Sequence, residues 1–283
     1  MSSGGREFLK WLAVLLMTGD HVVTAFGLGY VPVVTEGGRV AFPLFALVMG
    51  YNLAQPGADA LKSVRRLALW GLVASLPAYL VFGSLLPLNV LFTFSLAAVA
   101  IWAAQRCMWP LVAVCAVALP PFVDYAWPGV WLVLAAWGWF RHHGRRMHWL
   151  LGSWDWRRAR LYAVLPIWVW ITIGLLCLYN GNGWALLALP LMQVGEWRWP
   201  VPRTRWAFYG YYVLHLSLLA ALQLGGYQLQ GIGLPSCVSD SNPCSVLMSS
   251  TPPLHRALSG KGIPVVSAGT SRTIVTGSGA THG

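Results

Sequence analysis

Two ionisable side chains, Asp20 and His21, interrupt an otherwise apolar stretch that reads Leu-Ala-Val-Leu-Leu-Met-Thr before them and Val-Val-Thr-Ala-Phe after. Charge inside hydrocarbon is expensive, so such groups mark chemistry by default, as a general base, a proton relay or a nucleophile; the alternative is a structural pair that caps or cross-links helices. Arg39 opens the next apolar stretch, and a second intramembrane histidine, His215, follows Tyr211 and Tyr212 by four and three residues. That spacing puts all three on one helical face, either lining a polar cavity or satisfying a buried imidazole. Asn52, Asn89 and Thr93 are further polar groups inside apolar runs.

These residues are positioned by a chain that is 57% hydrophobic and only 10% charged. Apolar runs recur at about 9–27, 40–54, 66–82, 88–104, 108–123, 127–140, 161–179, 183–197 and 206–224. The expected architecture is therefore an all-α, polytopic transmembrane helix bundle of about nine spans, with the second, fifth, sixth and eighth short for a full crossing. The first run carries Asp20-His21 and leads straight into further spans, so it reads as a membrane helix rather than a cleaved signal. Many of the 17 tryptophans fall at span ends, where indoles anchor in the headgroup region. Residues 1–224 form the expected membrane domain. From Gly225 to Gly283 the composition turns to Ser, Gly, Thr and Pro, which predicts a disordered tail. Cys237 and Cys244 in that tail would form a small disulfide loop or remain free thiols.

A net charge of +11 would suggest nucleic acid in a soluble protein, but here its placement reports orientation instead. With the N-terminus in the cytoplasm, 15 of the 19 Lys and Arg residues fall inside, and only Arg39 lies in an outer loop. A helix entering near Leu9 carries His21 roughly 18 Å inward at about 1.5 Å per residue, past the midplane. Asp20, His21 and Arg39 can thus converge in the outer half. Arg39 reads either as a site residue or as a snorkelling interfacial cation. Adjacent positions point about 100° apart, so one division has His21 facing a reaction cavity and Asp20 pairing with Arg39. The stretch from Arg141 to Arg160 holds six arginines, including Arg145 and Arg146, with three histidines in no metal-binding spacing. It reads as a topology signal or as a dock for an anionic ligand.

Several motifs together resemble the TraX family of conjugative-plasmid membrane proteins: Lys10-Trp-Leu-Ala-Val-Leu-Leu-Met17 followed by Asp20-His21, then Arg39-Val-Ala-Phe-Pro43-Leu-Phe-Ala, Arg65-Arg66-Leu, Phe208-Tyr209 and His215-Leu. The similarity spans about residues 8–224. It implies acetyl transfer from cytoplasmic acetyl-CoA to the N-terminal amine of a pilin subunit, in a bacterial inner membrane. Under that reading His21 is the general base or an acetylated nucleophile, oriented by Asp20, with Arg39 or Asn52 at the oxyanion and His215 able to share the acid–base role. Arg141, Arg145 and Arg146 would hold the CoA phosphates, and Asn52 and Tyr211 would also contact the bound acetyl-CoA. The alternatives are acyl transfer to a glycan hydroxyl, a proton-coupled transporter using Asp20 and His21, and a non-enzymatic scaffold for pilus assembly.

Overall fold

Apolar runs bounded by turn formers become helices because in hydrocarbon every backbone polar group must be satisfied within its own segment. The computed structural model describes residues 1–150, 167–197, 199–204 and 206–231. Among them are no strands, only an isolated bridge between Leu88 and Val123. Helix α1 (Ser3–Ala25) starts where the Ser2 hydroxyl accepts the Gly5 N–H at 2.8 Å. In α2 (Val34–Ala54), Glu36 reaches back to the Val33 N–H at 3.3 Å and places negative charge at the positive helix end. Asp59 caps α3 (Ala60–Phe82), which stops at Gly83 in the left-handed region that glycine adopts without strain. Asn89 caps α4 (Val90–Gln105) and also donates to the Gly71 carbonyl of α3 at 2.9 Å, so that polar group is committed to helix packing.

Helix α5 (Trp109–Ala113) runs into a π-helical turn, Val114–Ala118, and a 3-10 turn, Pro120–Phe122. Widening a helix misaligns its carbonyls, which need donors if no water is present. Two indoles supply them: Trp127 Nε1 donates to Val117 at 2.9 Å and Trp131 Nε1 to Ala116 at 2.8 Å. Both come from α6 (Ala126–Leu150). Helix α7 (Ile167–Asn180), a 3-10 turn (Trp184–Leu187) leading into α8 (Ala188–Val194), and α9 (Ala207–Gly231) complete the described chain. The last helix thus continues past Leu224, where the tail was expected to begin. Residues 232–283, including both tail cysteines, lie outside the described residues.

Each expected apolar segment overlaps a helical element, but among the described residues three helices are individually long and apolar enough to cross a membrane: Ser3–Ala25, Ala60–Phe82 and Ala207–Gly225. The others differ for readable reasons. Arg39, Tyr51 and Asn52 lower the hydropathy of α2, tryptophans and terminal Arg and His residues lower that of α6, and the rest are short. On the three apolar helices, Leu69, Leu72 and Leu76 of α3, Leu214 and Leu218 of α9, and Leu15 of α1 point outward as exposed stripes. A stripe at this spacing is a hydrocarbon-facing surface.

Helix α2 is the centre of the packing, with Leu44, Ala46 and Leu47 fully buried. Small residues let its neighbours approach: a Cβ on Gly50 would sit 2.6 Å from that of Ala136 in α6, and one on Gly38 would sit 2.4 Å from that of Asp20 in α1. At one end, the start of α1 is joined to the segment before α9 by Ser2 N–H donating to Gly195 O at 2.9 Å and by Arg203 Nε donating to Ser3 Oγ at 2.8 Å. At the other end, Leu88 N–H donates to Phe122 O and Asp124 N–H to Leu88 O, each at 2.8 Å, and Gln223 Nε2 donates to Ala25 O.

Candidate functional site

Helices α1 and α9 bring the two intramembrane histidines together, His21 Nδ1 lying 2.8 Å from His215 Nε2. Their rings stack with centroids 5.1 Å apart and planes 14° apart. The hydrogen positions follow from the partners. His215 Nδ1 lies 2.9 Å from the Tyr211 carbonyl, one turn earlier on α9. A carbonyl only accepts, so His215 Nδ1 carries the hydrogen, and a neutral His215 offers a lone pair at Nε2. His21 Nδ1 must then donate across the contact, which leaves His21 Nε2 as an unprotonated lone pair. The order from base to anchor is His21 Nε2, His21 Nδ1–H, His215 Nε2, His215 Nδ1–H, Tyr211 carbonyl.

Aromatic and hydroxyl groups hold this pair in place. The Tyr211 ring stacks on His215 at 5.3 Å, and Phe82 of α3 meets His21 edge-on at 5.3 Å. Thr18 Oγ1 donates to the Val14 carbonyl at 2.8 Å, so at 3.0 Å from Tyr211 it accepts the tyrosine O–H. Tyr211 therefore supports the site through its backbone carbonyl, its ring and its hydroxyl.

Asp20 serves a different partner. It lies on the α2 side of α1, packed against Gly38 and within electrostatic range of Arg39, and among the described residues it makes no hydrogen bond to either imidazole. Arg39 also acts electrostatically on Tyr125 and Tyr179. The three residues at the end of α1 and start of α2 thus split in two: His21 turns to α9, while Asp20 and Arg39 stay at the α1–α2 seam.

A cavity of about 400 Å³ lies between α1, α2, α3, α4 and α9. Its mouth carries Arg6, Lys10, Arg66 and Arg203 against the single carboxylate of Glu7. That carboxylate is already engaged, by Lys10 Nζ at 2.7 Å and by the Thr204 hydroxyl at 3.1 Å. Arg6 donates to Asn52 Oδ1 at 2.8 Å, which fixes both side chains at the rim. Arg66 Nε is buried without a hydrogen-bond partner, and its guanidinium lies 5.9 Å over the Trp206 ring. Moving inward, the wall becomes apolar with Met17, Phe45 and Phe94, and Tyr212 lines it too. Tyr212 is 6% exposed, and its ring meets His215 edge-on at 5.5 Å and His21 at 6.4 Å. A cationic mouth thus connects through apolar walls to a tyrosine that touches the histidine pair. Anions are held by such a mouth, and Arg provides paired donors for phosphate oxygens.

Of the residues singled out for ligand binding, Asn52 lines this cavity. Arg141 instead lies over the Trp137 ring at 5.2 Å and is not among the cavity walls. The side chains of Arg145 and Arg146 lie outside the described residues. The sequence reading missed Arg6, Lys10, Arg66 and Arg203 as cavity-lining groups because basic residues at span ends are accounted for by orientation alone. The available signal was the four-residue spacing of Arg6 and Lys10, which puts both on one face of α1.

A profile of the TraX protein family matches residues 5–223. Two relatives, each called Protein TraX, come from Escherichia coli and its strain K12, with 38% and 34% identity over 109 residues. Those alignments cover 38% of this chain and 44% of each relative, so the chain matches less than half the length of either. No solved structure matches. With the family match running from the start of α1 almost to the end of the described part of α9, and taking in the cavity and both histidines, the chain belongs to the TraX family.

Proposed function

We propose that this protein is an integral membrane acetyltransferase that moves an acetyl group from cytoplasmic acetyl-CoA to the N-terminal amine of a conjugative pilin subunit. The observation that carries this reading is the cavity, cationic at its mouth and ending at Tyr212 beside the histidine pair. The donor fits the residues present: the orphaned Arg66 Nε, with Arg6, Lys10 and Arg203, suits a polyanionic phosphate moiety, and the apolar walls at Met17, Phe45 and Phe94 suit an uncharged arm. When bound, acetyl-CoA supplies an activated acyl carbonyl as a thioester. The chain's own residues do the rest. His21 Nε2 accepts the proton that the attacking amine must lose, since an α-amino group with a pKa of about 8 is partly protonated at neutral pH. His215 holds His21 in the tautomer that leaves Nε2 free, and the Tyr211 carbonyl holds His215.

The direction of the reaction follows from the ends of the molecule. The cavity mouth shares its end with the start of α1, so an N-terminus inside puts the mouth in the cytoplasm, where acetyl-CoA is. Nine helical segments alternating between the two ends, in a bacterial inner membrane, complete this reading. A processed pilin offers its new amine from the other side, and His21 lies deeper along α1 than the mouth residues Arg6 and Lys10. A transporter relaying protons between Asp20 and His21 is less well supported, since the two face different partners. The test is intact-mass measurement of a co-expressed pilin. An added acetyl group that disappears with His21→Ala, in a protein that inserts normally, is the expected result; full acetylation by that variant would refute His21 as the base.

A further inference from the structure

Two tyrosines share the helical face of His215, and their hydroxyls differ. That of Tyr211 is engaged by Thr18. That of Tyr212 has no hydrogen bond among the described residues, although Tyr212 is 6% exposed and lines the cavity. The Tyr212 hydroxyl is not among the polar atoms sealed off without a partner, and the cavity that Tyr212 lines gives it room for a ligand acceptor. The apolar residues of the cavity wall, Met17, Phe45 and Phe94, supply none. Tyr212 lines the cavity and its ring meets both imidazoles, so a group bound against it is brought toward the histidine pair.

Resting on the acyl-transfer reading above, we propose that Tyr212 is a further catalytic residue, whose hydroxyl donates a hydrogen bond to the thioester carbonyl oxygen and to the oxyanion that forms from it. The amine lone pair forms the new N–C bond while the carbonyl π pair moves onto oxygen, facing the Tyr212 O–H. Collapse of that oxyanion breaks the C–S bond and expels the CoA thiolate. The proton lost by the amine goes to His21 Nε2 and from there to the thiolate, giving the free thiol; Tyr212 keeps its own proton. A donor fixed in an apolar wall is worth more than one in water because nothing competes for it and it need not reorient. Neither Asn52 nor Arg39 fills this role: Asn52 is at the rim bonded to Arg6, and Arg39 is at the α1–α2 seam.

The test uses the full-length protein in detergent. Tyr212→Phe keeps the ring against the two histidines and removes only the donor. The expected result is a fall in kcat of about 100- to 1000-fold with the KM for acetyl-CoA unchanged, the size of effect for losing one oxyanion donor. A purely structural tyrosine would not produce that split. An activity-independent measurement accompanies it: the infrared carbonyl band of acetyl-CoA labelled with 13C at the acyl carbon, bound to the slow His21→Ala protein. With Tyr212 present the band lies below that of the free thioester, and in the His21→Ala, Tyr212→Phe protein it returns toward the free position. An unshifted band with Tyr212 present, or kcat within threefold of wild type in Tyr212→Phe, overturns the role of Tyr212 and leaves acyl transfer standing. Absence of any bound acetyl-CoA in the wild-type protein overturns both.

Discussion

Replacing His215 by Phe should slow the reaction without weakening donor binding. Phenylalanine retains the ring that stacks between His21 and Tyr211, but it cannot accept the His21 Nδ1–H. That N–H is then unpaired in an apolar site, at a cost of about 1–3 kcal/mol. The same loss frees His21 to move its hydrogen to Nε2, the atom that must be bare to act as a base. With about 1.4 kcal/mol per factor of ten, kcat should fall about five- to a hundredfold. KM for acetyl-CoA should stay put, because His215 is not part of the cavity wall. The assay is initial rate against acetyl-CoA concentration with pilin as acceptor, in proteoliposomes. His215→Gln, whose side-chain oxygen can accept the His21 Nδ1–H, should recover most of the loss. Wild-type kcat in His215→Phe, or a Gln variant no faster than Phe, would refute the tautomer argument.

Four further expectations follow from the same geometry. Arg66→Gln should raise the KM for acetyl-CoA on the order of tenfold or more while leaving kcat within about twofold, as expected for losing charged hydrogen bonds to a bound anion; an unchanged KM would move the phosphates elsewhere. Arg141→Ala should leave that KM unaltered in the same titration, since Arg141 lies over Trp137 and outside the cavity wall. Asp20→Asn should reduce kcat far less than His21→Ala does, because Asp20 packs on Gly38 rather than bonding the imidazoles; equal losses would mean that its charge acts on His21 directly. Gly38→Ala should lower the thermal midpoint followed by tryptophan fluorescence, since a Cβ 2.4 Å from that of Asp20 forces overpacking of about 1–3 kcal/mol. That exceeds the roughly 0.5–1 kcal/mol a helix gains from Ala over Gly, so a raised midpoint would contradict the close approach.

The helical class and the existence of most segments were legible because apolar runs are local signals, but their ends were not: α1, α2 and α3 start at Ser3, Val34 and Ala60, ahead of the apolar runs at 9, 40 and 66, because capping residues start a helix before its apolar stretch. Crossing length was less so: α2 and α6 are long, yet their Arg39, Asn52, Arg141 and tryptophans keep their hydropathy below that of α1, α3 and α9. For the site, residue type alone drew attention to His21 and His215, whose separation of 194 positions is closed only by the docking of α9 on α1. Which neighbour each side chain would face was not readable. Asp20 and His21 are adjacent in sequence, and helical twist sent one to α2 and the other to α9. The mouth of the cavity was hidden for a different reason. An arginine retained at a membrane face and an arginine in a cavity wall have the same sequence signature, and the structure sets Arg66 apart by its place in the wall and its unpartnered Nε.

The seam between the first and last helices also has a meaning in time. Arg6, Lys10 and His21 leave the ribosome within the first helix, whereas Arg203, Tyr212 and His215 arrive nearly 200 residues later. Until α9 inserts, the cavity has no wall at Tyr212 and His21 Nδ1 has no acceptor. On the acyl-transfer reading, membrane insertion is therefore a safeguard in itself: a half-inserted protein cannot hold a thioester next to His21, and the site is assembled when α9 arrives.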